Sequence, residues 1–157
     1  MDMRILVFIF LIAGILACQQ HSRESERIAL GDLYVELAAL EKSCVNVLTD
    51  IDETSLDAID TMFLVTQDTI WIDLKSGYAE SEKRLIHLSN LIDQEVRQLN
   101  LLRESLNKRH LNKEDFRIFF EKEKQNVLNL NIQIKEEVTF RNELKVLKFK
   151  LRKKNQS

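Results

Sequence analysis

A chain of 157 residues that is 45% hydrophobic and 31% charged holds too much apolar material to stay disordered. It has no proline and three glycines, a helical composition. The formal net charge of −2 provides no overall field to steer a nucleic acid, so none is expected as a partner.

Residues 1–17 form the first unit. Arg4 supplies a positive start beside Asp2, and an apolar run of thirteen residues, 5–17, follows. A helix rising about 1.5 Å per residue needs roughly 20 apolar residues to cross about 30 Å of hydrocarbon. The run therefore has the length of a signal-peptide core. It ends Ile15-Leu16-Ala17-Cys18, which resembles the lipobox of bacterial lipoproteins: an aliphatic residue three before the cut, a small residue just before it and an obligatory cysteine after it. Leu16 stands where a smaller residue is commoner.

The resemblance implies cleavage before Cys18, a diacylglyceryl group on its thiol and acylation of the new amino terminus. One acyl chain holds a protein only marginally, whereas two or three on one residue anchor it stably. Gln19 in place of Asp implies, by likeness to enteric lipoproteins, release from the inner membrane. The expected location is the bacterial cell envelope, lipid-anchored at the outer membrane and facing the periplasm. The bland alternative is a plain signal peptide or an uncleaved anchor with an incidental cysteine.

Residues 18–26 are then the lipid-bearing cysteine and a polar tether, and 27–157 one helical bundle domain. Leu30, Leu33, Leu37, Leu40, Cys44, Val47 and Ile51 recur at alternating steps of three and four, the heptad stripe of a helix that packs lengthwise against another. Cys44 fills a core position on that stripe, or else meets its copy in a parallel homodimer. The run 49–55, rich in capping residues, breaks the pattern, with Thr54 or Ser55 opening the next helix.

The second segment carries Leu56, Ile59, Phe63, Ile70 and Leu74 on one face, but 62–65 and 70–72 are continuously apolar. Such a helix is buried, or exposes a surface for a partner. A short strand over 69–72 is the lesser alternative. Ser76-Gly77 is expected to end or kink the helix, after which Leu85, Leu88, Ile92, Val96, Leu99, Leu102 and Leu106 form another stripe. Lys108-Arg109-His110 suits a helix C-terminus and Asn112 an N-cap.

The last helix places Phe116, Phe119, Phe120, Val127, Leu130, Ile134 and Val138 on one stripe and Leu144, Leu147 and Leu151 on a shifted one, the mark of a stutter. The alternation over 128–135 competes as a strand signal, with helix favoured. The expected fold is all-α, three to four long antiparallel helices at 25–50, 54–75 running or kinking into 78–109, and 113–153.

Chemistry is thin. His21, His87 and His110 lack the spacing of a helical metal site, and Gly31 and Gly77 form no phosphate loop. No nucleophile and base stand at a recognisable spacing. No enzyme activity, metal or cofactor is expected. Phe63, Ile70, Trp71 and Tyr78 are the candidate core or partner surface. Lys148, Lys150, Arg152, Lys153 and Lys154, with Lys145, are a candidate contact with an anionic membrane, against the simpler reading of a solvated helix end. The expected function is a structural or protein-interaction module that binds a partner or its own copy. A small-molecule sensor with a cavity lined by Phe63, Trp71 and Tyr78 is the alternative, and an envelope chaperone a third without a motif.

Overall fold

The computed structural model describes the backbone of residues 3–49, 53–108 and 110–154, and the side chains of 23–49, 57–108 and 110–154. Among them four helices follow one another: α1 Met3–Thr49, α2 Glu53–Thr66, α3 Ile70–Asn107 and α4 Lys113–Lys154. No strand occurs among the described residues, and both 69–72 and 128–135 are free of β-structure. The protein is an all-α bundle.

α1 runs without interruption through 19–26, the stretch expected as a tether. No proline or glycine lies between Gly14 and Gly31 to stop it. α2 starts one residue ahead of Thr54, a difference within the ordinary uncertainty of helix ends. Ile51 and Leu56 lie outside the residues whose side chains are described, as does Arg109.

A helix end at Ser76-Gly77 is corrected. α3 continues through it as helix, and a Cβ on Gly77 would stand 3.0 Å from Leu144 Cδ2. That glycine serves the close approach of α4 rather than a turn. The chain instead turns at 67–69, where Gln67 adopts φ 53°. Asp68 Oδ1 accepts a hydrogen bond from the Ile70 amide at 3.1 Å, and the Thr66 hydroxyl accepts one from the Asp68 amide at 3.3 Å. At the other turn Asn112 caps α4 as expected, its Oδ1 accepting from the Asp115 amide at 2.8 Å, a first-turn N–H that would otherwise lack a partner.

α3 packs antiparallel to both α1 and α4. Arg23 donates to the Leu106 carbonyl at 2.7 Å while Arg84 meets Glu137 at 2.7 Å. Leu30, Leu33, Leu37, Leu40 and Cys44 of α1 join Leu85 to Leu106 of α3 and Phe116 to Ile134 of α4 in the main core. Beyond the end of α1, α2 takes its place. Ile59 packs there with Trp71, Leu74, Tyr78, Leu144 and Leu151 in a second core.

The expected stutter in α4 is also corrected. Its seam residues Phe116, Phe120, Glu123, Val127, Leu130, Ile134, Glu137, Arg141, Leu144, Lys148 and Leu151 are each buried or partly buried, and they keep steps of three and four throughout. Four charged residues, Glu123, Glu137, Arg141 and the partly buried Lys148, occupy seam positions and conceal the phase. Phe119 and Leu147, assigned to the stripe by hydrophobicity, are 47% and 40% exposed.

Candidate functional site

The buried charges explain the seam. Glu137 is nearly enclosed and accepts from Arg84 Nε at 2.7 Å, and the same guanidinium lies 4.8 Å from the Phe140 ring. The Glu137 hydrogen bond and charge raise the Arg84 pKa above its already high usual value. Arg141 Nε donates to the buried Ser81 hydroxyl at 2.6 Å, and its guanidinium stands 5.3 Å from the Tyr78 ring. Polar pairs on a seam cost stability when unmatched and so fix which registers can form.

A third polar cluster joins α3 to α4. Asn126 Nδ2 donates to Glu95 at 3.4 Å and to Glu123 at 3.2 Å. Burial, then the hydrogen bond and charge of Glu123, raise the Glu95 pKa to about 7, with Asn126 and Lys122 opposing. Cys44 is fully buried, and that burial raises its thiol pKa. The α1 stripe is covered by α3 and α4 of the same chain, so two copies of Cys44 meet only if the bundle opens. Cys44 fills the core.

The candidate aromatic group is divided. Trp71 and Tyr78 are buried in the second core, Phe63 packs against it partly exposed, and Ile70 is 40% exposed. Met62, Leu74, Leu144 and Leu151 occupy the space around Trp71 and Tyr78, so a ligand lodged there would displace core side chains. Beside this core Leu64 and Val65 are 75% and 74% exposed and Ile72 about half exposed, and other apolar residues such as Val35 and Ile118 are exposed elsewhere on the bundle.

The basic residues Arg152, Lys153 and Lys154 form the last turn of α4, where cations meet unsatisfied carbonyls. Lys150, Arg152, Lys153 and Lys154 are exposed and Lys148 is partly buried. Phe149 among them and Val146 just before them are exposed as well, and Lys153 Nζ stands 5.0 Å from the Phe149 ring. A shallow groove of about 430 Å³ runs beside them, lined by Thr139, Asn142, Glu143, Val146, Leu147 and Lys150.

A feature that hydropathy did not reveal lies at the opposite end. Arg27, Leu30, Gly31, Tyr34, Arg103 and Asn107 line a groove of about 630 Å³ between α1 and α3. Arg27 donates to Asn107 Oδ1 at 3.1 Å. Asn100 Oδ1 accepts from both the Tyr34 hydroxyl and Arg103 Nη2 at 2.9 Å, and the Arg103 guanidinium lies 5.3 Å from the Tyr34 ring. Burial raises the Tyr34 pKa, partly offset by Arg103, so the phenol stays neutral. The sequence signal was Arg27, Gly31 and Tyr34 at helical spacing on α1, but Arg103 and Asn107 are supplied by another helix.

No group of three or more metal-ligating side chains occurs among the described residues. No helix among them is long and apolar enough to cross a membrane. No family model, curated protein or solved structure matches the chain.

Proposed function

We propose that the chain is a bacterial lipoprotein of the cell envelope, anchored through Cys18 in the outer membrane and facing the periplasm. It acts without catalysis, as a structural or interaction module. The observation that carries this reading is the run Ile15-Leu16-Ala17-Cys18 at the end of a thirteen-residue apolar segment. On this reading the end with the α3–α4 turn is the membrane-proximal one, because Arg23, five residues after Cys18, bonds to the Leu106 carbonyl there. The exposed Leu64, Val65 and Phe149 belong to the far end, where a partner protein or a second surface would be met. The α1 stripe, already covered within the chain, is not the docking face.

Metabolic labelling with palmitate tests the anchor. Wild-type chain takes up label and migrates as the shorter, lipid-bearing form, while Cys18→Ala takes up none. Label retained by the alanine variant would refute lipidation at that position. A cavity sensor lined by Phe63, Trp71 and Tyr78 has the weaker support, because core side chains fill that place.

A further inference from the structure

The groove between α1 and α3 has two guanidinium groups and no carboxylate on its lining. Elsewhere on the bundle Arg84 is matched with Glu137 and Arg117 with Glu114. Arg27 and Arg103 form no ion pair among the described residues, and their partners are the neutral amides of Asn107 and Asn100. Glu104, the acidic residue beside Arg103, is engaged with Lys108, which holds its carboxyl below the usual range.

Each guanidinium carries five N–H donors on a rigid fork, and one from each is shown committed to an asparagine. The Tyr34 ring supports the Arg103 plane at 5.3 Å. Leu30 forms an apolar wall, and nothing lies within 4 Å of where a Gly31 Cβ would stand, so the groove has open room beside the two cations. Forks from two different helices suit an anion with several oxygens better than a single carboxylate does.

We propose that this groove binds a phosphate ester, its oxygens held between Arg27 and Arg103 and its small organic substituent set against Leu30 and Tyr34. Two sources supply that chemistry: the headgroup of an anionic phospholipid, or a soluble phosphate ester. The headgroup source rests on the Cys18 anchor, since Arg27 follows Cys18 by nine positions on α1, about 13 Å along the helix axis. The phosphate site itself does not depend on it.

Titration calorimetry on the full chain in dodecyl maltoside micelles tests this. The probes are glycerol 3-phosphate, with glycerol as the uncharged control, and micelles doped with phosphatidylglycerol, with phosphatidylcholine as control. Saturable binding to a phosphate probe but not its control is expected, weakened at least tenfold in Arg27→Gln/Arg103→Gln at unchanged melting temperature. Arg103→Lys, which keeps the charge but loses the fork, falls between. Binding of glycerol 3-phosphate assigns a soluble ester; response to doped micelles alone assigns the headgroup. Absence of binding to both probes, or equal binding by the double variant, overturns the proposal. Run on Cys18→Ala chain, the glycerol 3-phosphate titration separates the groove from the anchor, because failed lipidation leaves it intact.

Discussion

Glu95 stands three positions after Ile92 and four before Leu99, on the same spacing as the buried leucines of α3, and meets Glu123 across the α3–α4 interface through Asn126. Two carboxyl groups so placed resist double ionisation. A carboxyl with a pKa of about 7 in the folded chain against 4.5 ordinarily binds more proton when folded than when unfolded between those values. Its contribution to stability is fully present below about pH 4.5 and lost as pH rises through 7. Glu123 and Lys122 are the charged groups that act on it, and on α1 Glu36 is turned to Asn131. Glu95→Gln, which mimics the protonated form, is therefore expected to match wild type near pH 4.5 and to exceed it at pH 8. Allowing for the solvent screening of a partly exposed group, the gain is about 1 kcal/mol. Thermal melts of both proteins across that range check it, and a difference independent of pH would remove the shared-proton account.

The helices show why hydrophobicity located the elements better than their joints. α1 and α3 were legible because Leu30 to Cys44 and Leu85 to Leu106 repeat at heptad spacing with apolar residues at nearly every position. On α4 the same geometry is filled at Glu123, Glu137 and Arg141, so a reading by hydropathy lost phase and registered a shift. The α2–α3 turn was missed for a related reason. Gly77 looked like the break, yet it is the packing position facing Leu144, while the turn falls on Gln67 at φ 53°. Its signal was the cluster Thr66-Gln67-Asp68-Thr69, rich in residues that bond to nearby amides. A non-glycine residue in the left-handed region costs roughly 1 kcal/mol. Gln67→Gly is thus expected to raise unfolding stability by about 0.5–1 kcal/mol, read by denaturant titration. Destabilisation would mean that the Gln67 side chain holds the corner.

At the scale of the whole molecule, α4 with 42 residues is about 63 Å long at about 1.5 Å per residue. The N-terminus of α4 adjoins the end marked by Arg23 and Leu106, and its basic C-terminal turn lies at the other. Under the proposed anchoring at Cys18, the cations and the exposed Phe149 lie at the end of the bundle away from the membrane that holds the lipid. Each cation near an anionic bilayer contributes about 1 kcal/mol. Chain anchored in neutral donor vesicles is expected to capture phosphatidylglycerol-containing acceptor vesicles in a salt-sensitive manner. Lys150→Glu/Lys153→Glu lowers that capture roughly tenfold or more, at a cost of about 1 kcal/mol in stability from the lost helix-end and Phe149 contacts of Lys153. Equal capture of neutral acceptors, or no effect of charge reversal, would leave the basic turn as a solvated helix end.

The sequence by itself determined that the body is helical, where the stripes of α1 and α3 run and that Asn112 opens the last helix, because periodicity and capping are local properties of consecutive residues. Only the tertiary structure decided that Cys44 faces the interior, that α2 replaces α1 over the second core, and that Arg141 and Glu137 belong to the seam. A buried charge reads as a surface residue until the partner that satisfies it is known. Ser81 lies 60 positions from Arg141 and Arg84 lies 53 from Glu137, separations that no local pattern spans.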